Sequence, residues 1–186
     1  MTRSRLWKQL AADTLGAQIL EFAVALPLLV VFVVATYDFG QAFNTKEKLN
    51  FTTRDAARFS STQPTNDLSQ STPPSVTAIR DLVDADLLAA GLNDCGLSAI
   101  TPAGTLVWTA TGTCPNGGTL TLTIDRGVVI PPTTNASPPV QQIATHIDLQ
   151  YPYQWQFSSV IQLLVPGASY AGITTIDTDA FAVNQD

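Results

Sequence analysis

Apolar residues crowd into one run near the N-terminus. Phe22–Tyr37 reads FAVALPLLVVFVVATY and carries no charge. Counted from Ala17 to Thr36, the run is roughly 20 residues, or about 30 Å as a helix, one hydrocarbon thickness. Only Glu21 interrupts it. Pro27 removes one backbone hydrogen bond and predicts a kink, which a membrane helix tolerates. The helical period continues beyond the run. Phe39, Ala42, Phe43, Leu49, Ala56 and Ala57 fall on one stripe, while Glu47, Lys48, Arg54, Asp55 and Arg58 fall mostly on the other. Phe51 and Phe59 lie off the stripe. The pattern predicts a long helix over 17–61, with its membrane-crossing part at about 17–37.

After Ser61 the pattern changes. The stretch 60–75 is rich in Ser, Thr, Gln and Pro and reads as a linker. Val76, Ile79, Val83, Leu87 and Ala90 then recur at helical spacing, with Ser75 as the expected cap and Gly91 as the stop. Asp81, Asp84 and Asp86 read as the wet face of that helix. Strand signals follow. Segments 105–111 and 119–125 flank Cys114-Pro115-Asn116-Gly117-Gly118, which is strong turn chemistry. Leu120, Leu122 and Ile124 alternate with threonines, so one face is buried and one wet. Segment 127–139 is rich in Pro and Thr and is expected to be a loop. Alternation returns over 144–153, a short helix is expected at 160–165, and a last strand over 169–183. The expected fold is α+β: a long N-terminal transmembrane and amphipathic helix packed on a small antiparallel sheet.

Charge gives this layout a direction. Before Ala17, Arg3, Arg5 and Lys8 outnumber Asp13. Between Ala17 and Ser61 acids and bases balance. From Thr62 onward acids predominate, opposed only by Arg80 and Arg126. A basic N-terminal flank favours the cytoplasmic side, which places the acidic body outside. With a net charge of −6 and no basic cluster, the chain lacks the footprint of a nucleic-acid binder. Its charged fraction of 13% is well below the roughly 25% of ordinary soluble domains. The chain thus reads as a leader at 1–16, a helix at 17–61, and an exported α+β domain at 62–186.

Three fates of the N-terminus fit the hydropathy alone: a signal peptide cut after Ala35, an uncleaved anchor, or a leader cut after Gly16 that leaves the apolar helix in the product. Glu21 favours the third. A carboxylate in an apolar span costs about 2.5–3.5 kcal/mol at the centre and less toward the interface. A signal peptide has no use for it. A subunit that stacks helix on helix does, because cleavage before Ala17 leaves an amine that can neutralise a neighbour's Glu21. The alternative is that Glu21 merely reaches the membrane interface.

Gly16-Ala17 followed by Glu21-Phe22-Ala23, then Pro27-Leu28-Leu29, Asp38-Phe39-Gly40 and Asp55-Ala56-Ala57-Arg58 resemble the TadE-like minor pseudopilins of the tight-adherence (Tad, Flp, type IVc) pilus system. A weaker likeness lies in 148–153 and the apolar run before Pro166. The chain departs from the family in ending without a basic-acidic pair. The resemblance implies a pilin-like layout and cleavage at Gly16/Ala17 by a prepilin peptidase that recognises Gly16, Ala17, Glu21 and Phe22. It implies assembly through the helix at Glu21, Pro27, Asp38 and Gly40. The implied partners are other pilins or pseudopilins, the inner-membrane assembly machinery and membrane lipid, with the chain crossing the inner membrane once. The competing reading is a membrane-anchored periplasmic or extracellular binding module outside any pilus.

No catalytic constellation stands out, and no cofactor or metal is expected. His146 is the only histidine and falls on the polar phase of a strand. No phosphate loop, dinucleotide fingerprint or nucleophile elbow occurs. Asp177 and Asp179 share one strand face, which reads as solvated. Asn135-Ala136-Ser137 matches a glycosylation sequon but is followed by Pro138. Trp108 and Trp155 read as core aromatics. Cys95 and Cys114 form no zinc pattern. In an oxidising compartment they are expected to pair, the alternative being two buried thiols.

Overall fold

A computed structural model of the chain describes residues 14–131, 141–157 and 173–185. The expected short helix at 160–165, the sequon and the first residues of the expected last strand lie outside them. The elements in order are α1 (Thr14–Ser61), α2 (Pro74–Ala89), β1 (Thr101–Gly104), β2 (Val107–Thr113), β3 (Thr119–Ile130), β4 (Gln142–Gln154) and β5 (Ile173–Val183). The chain divides into two compact units, Met1–Gly40 with Gln156–Ala171 and Gln41–Trp155 with Gly172–Asp186. The boundary between the units falls within α1.

The second unit holds an antiparallel sheet in the order β1-β2-β3-β4-β5, each strand beside its neighbour in sequence. This is the simplest topology short connections allow. One face of the sheet buries Trp108, Leu122, Ile124, Ile147 and Leu149 in a single cluster, together with residues of both helices. The α+β expectation is met: a long N-terminal apolar helix and a five-stranded antiparallel sheet.

The face that α1 buries differs from the predicted stripe. Leu49, Ala56 and Ala57 are buried as expected, but Phe43 is 68% exposed. The face is completed by Thr52, Thr53 and Ser60. Hydroxyls disguise these residues as polar. In the helix the Thr53 hydroxyl donates to Leu49 O at 3.1 Å and the Ser60 hydroxyl to Ala57 O at 2.6 Å. With its hydrogen bond satisfied one turn back, such a side chain packs as a small apolar group.

The cap of α2 also differs. The helix starts at Pro74, so Ser75 lies inside it. The carboxylate of Asp67, from the preceding loop, accepts from the Ser75 backbone N–H and from its hydroxyl, both at 2.8 Å. A capping acid need not be adjacent in sequence; it must only reach the free amides of the first turn. Asp67→Ala is expected to destabilise the second unit by about 1–2 kcal/mol, since it strands Ser75. A denaturant midpoint unchanged from the parent excludes this role. At the other end Gly91, at φ 71°, follows the last turn, and Leu92 N–H donates to Leu87 O at 2.9 Å, closing a left-handed cap. Lys48 donates to Ala90 O at 2.8 Å, adding a cation at the negative end.

Two strand boundaries move relative to expectation. The first predicted strand, 105–111, starts two residues early: β2 is Val107–Thr113, and a tight turn at Thr105–Leu106 joins it to β1, which is not among the predicted strands. Leu106, neither Gly nor Asn, takes a left-handed φ of 60°, and its carbonyl accepts from Arg126 N–H at 2.9 Å. The predicted loop at 127–139 begins later, because β3 runs on to Ile130. Its register with β4 shifts between Asp125 and Val128. A bulge interrupts the alternation there, which makes the strand look finished in sequence. The turn at Cys114–Gly118 forms as expected, with Gly117 at φ 83° and Asn116 Oδ1 accepting from Gly118 N–H at 3.0 Å. Pro152 sits within β4 beyond Gln150, the last residue paired with β3. Its missing N–H therefore costs no bond to that strand.

Candidate functional site

The candidate site is the N-terminal half of α1. Among the described residues one helix is long and apolar enough to cross a membrane: within Gly16–Ser61 an 18-residue window has a mean hydropathy of 2.5 and none of it is buried. Phe22, Val24, Leu28 and Phe32 are each more than 60% exposed. In water such a surface is far larger than a monomer leaves open; in lipid or against other apolar helices it is satisfied.

Gly16 and Ala17 lie in the first turns of α1, and a Cβ on Gly16 would meet nothing within 4 Å. Glu21 is exposed, one turn beyond Ala17, and shares an open groove with Leu20, Val24, Ala25 and Leu28. A second groove, lined by Leu28, Leu29, Val31, Phe32 and Ala35, is wholly apolar. Glu21 is thus the one carboxylate between Ala17 and Tyr37, on a surface otherwise built for hydrocarbon. Phe22 projects beside it. Pro27 stands inside the helix. Gly40 has open space where a side chain would be.

Asp38 is placed differently from these exposed positions. It is fully buried, and its Oδ2 accepts from the Phe157 backbone N–H at 3.1 Å. The Phe157 ring meets Tyr37 edge-on at 5.6 Å. Within one chain, Asp38 therefore fastens the turn that follows β4, which sequence spacing across more than a hundred residues does not show.

In the second unit Cys95 and Cys114 form a disulfide. Cys95 takes a left-handed φ of 56°, held by Asn93 Oδ1, which accepts its N–H at 2.7 Å. Trp108 is buried and donates from Nε1 to Ser71 O at 3.1 Å. Trp155 is half-buried and donates to the Thr174 hydroxyl at 2.9 Å. His146 stacks on Phe181 with centroids 4.1 Å apart, and its Nε2 lies 3.5 Å from Asp179. Asp148 stands directly across from Asp179 on the same face. Burial first, and the nearby Asp177 next, raise the Asp148 carboxyl above its ordinary value. Among the described residues no group of His, Cys, Asp and Glu is arranged to hold a metal ion.

These features define a class: a chain with one helix fit to span a membrane and a disulfide-bearing α+β unit. Comparison with known families makes it more particular. Residues 16–58 match the family model described as TadE-like protein, a stretch that is less than half of the chain and holds the whole candidate site. No curated protein and no solved structure matches the chain.

Proposed function

We propose that this chain is a non-enzymatic minor pseudopilin of a tight-adherence type IV pilus, acting in pilus biogenesis and surface adhesion. The observation that carries the reading is the coincidence of the TadE-like match with an exposed apolar helix bearing one carboxylate. A prepilin peptidase cuts after Gly16. The basic leader keeps the N-terminus cytoplasmic, so the helix crosses the inner membrane once and the acidic unit is exported. The disulfide supports that side of the membrane, since such bonds persist in oxidising compartments. Released from the leader, the Ala17 amine neutralises Glu21 of a neighbouring helix, be it another pilin or pseudopilin, and the assembly machinery draws the helices together.

The test is the intact mass of the protein extracted from its host membranes. The expected N-terminus is Ala17. Retention of Met1 in wild-type cells rejects processing and leaves a membrane-anchored binding module; an N-terminus at Thr36 identifies a secreted protein instead.

A further inference from the structure

Two exposed faces of the second unit remain unused by this reading. The first is on α1. Phe43, Glu47, Asn50, Phe51, Arg54 and Arg58 recur at helical spacing on the side turned from Leu49 and Ala56. Phe43 and Phe51 are each 68% exposed, and Arg54 and Arg58 are exposed beside them. Among the described residues neither arginine makes an ion pair. Two open aromatic rings next to two free guanidinium groups form the composition enriched at protein interfaces.

The second face is the wet side of β4 and β5. Asp148 is directly opposite Asp179, and Gln150 opposite Asp177. Like charges facing each other across strands are unfavourable, and within the unit only His146, near Asp179, and Gln150, donating to Asp148 at 3.3 Å, offset them. Beside the acids, Phe181 is 56% exposed and carries the stacked His146 ring. The first face thus offers two guanidinium groups, one carboxylate and two rings, and the other three carboxylates, the His146 imidazole and one ring.

We infer that a second copy of this chain docks the acidic β4–β5 face, at Asp148, Asp177, Asp179 and Phe181, onto the Phe43–Arg58 stripe of α1. The occupant is fixed by charge complementarity: carboxylates take guanidinium groups in paired hydrogen bonds, and the excess acid of one face meets the excess base at Arg54 and Arg58 of the other. Both faces belong to one unit. They turn away from a shared core, into which α1 sends Leu49 and Ala56 and the sheet sends Leu122 and Leu149. A contact between two different faces leaves one of each free at the ends, so it extends copy by copy rather than closing as a pair. Tethering in one membrane raises the effective concentration that so small a contact needs. The inference rests on the reading of the chain as an assembling subunit, but not on cleavage.

The test is disulfide crosslinking of the full chain in its membranes, with cysteines at Phe51 and Phe181. The double variant Phe51→Cys/Phe181→Cys is expected to give a ladder of dimers, trimers and higher species. Each single variant, and Leu88→Cys combined with Phe181→Cys, is expected to stay monomeric. Arg54→Glu/Arg58→Glu in the double variant is expected to reduce the ladder at least tenfold, and adding Asp177→Arg/Asp179→Arg to restore it. A monomer band alone in the double variant overturns the proposal. So does an equal dimer yield from Phe51→Cys alone, which shows like faces pairing. So does a ladder indifferent to charge reversal. Protein that retains Met1 yet crosslinks rejects processing only; protein beginning at Ala17 that does not crosslink rejects this interface only.

Discussion

Glu21→Ala is expected to abolish surface assembly while leaving the second unit folded and the protein in the membrane. The carboxylate lies in a groove with Leu20, Val24, Ala25 and Leu28, and makes no ion pair among the described residues. Its removal makes the span easier to insert, by up to about 2.5–3.5 kcal/mol were it at the bilayer centre. In the proposed assembly the opposite holds. Taking away one member of a desolvated charge pair strands the other, the Ala17 amine, at a cost of about 3–5 kcal/mol. That is a loss of at least about a hundredfold in assembled protein, given about 1.4 kcal/mol per tenfold. The measurement is the ratio of sheared surface protein to membrane protein, with Glu21→Gln beside it. Glutamine keeps the shape without the charge, so assembly by Glu21→Gln with loss in Glu21→Ala assigns the role to packing. Unchanged assembly in both supports the anchored binding module.

The second large effect is expected at the crossing of the Cys95 loop over β2. Cys95 and Cys114 are joined across a sequence separation of 19. In the chain-entropy account a loop of that size restrains the unfolded chain by about 3 kcal/mol. Cys95→Ser with Cys114→Ser is therefore expected to lower the melting temperature of the detergent-solubilised chain by about 6–12 °C. Gly112 acts at the same place. A Cβ there would lie 2.6 Å from the carbonyl oxygen of Cys95 and 3.2 Å from its Cβ. Backbone is the obstacle, so no rotamer change relieves it. Gly112→Ala is expected to cost about 1–3 kcal/mol by overpacking. The two effects should not add. Without the disulfide the loop can lift from β2, so Gly112→Ala should cost less in the cysteine-free chain. Equal costs in both backgrounds would falsify the claim that the bridge holds the loop down.

Much of the architecture was legible because it depends on local patterns. The apolar span needs only its length and lack of charge. Val76, Ile79, Val83 and Leu87 repeat at helical spacing, and all four are buried. Leu120, Leu122 and Ile124 alternate along β3 with the threonines on the wet side, as do Ile147 and Leu149 along β4. The turn at Asn116–Gly117 announces itself through residues that tolerate a left-handed backbone. What local patterns misread was polar residues whose hydrogen bonds close at short range. Thr53 and Ser60 fall outside the predicted stripe and are buried, while Phe43 falls on it and Phe51 off it, and both are exposed. The predicted apolar stripe and the buried face share Leu49, Ala56 and Ala57 and part at Phe43.

By itself, then, the sequence determined the membrane-competent helix, the position of Glu21 one turn after Ala17, the strand alternation and the polarity of charge along the chain. Each follows from neighbours within a few residues, where helix and strand periods act directly. Tertiary structure alone decided that Asp67 caps α2, that Asp38 holds the Phe157 amide, that Gly112 makes room for the Cys95 loop, and that Asp148 faces Asp179. These depend on which distant segments meet, and that is set by how the whole core packs rather than by any residue's local preference.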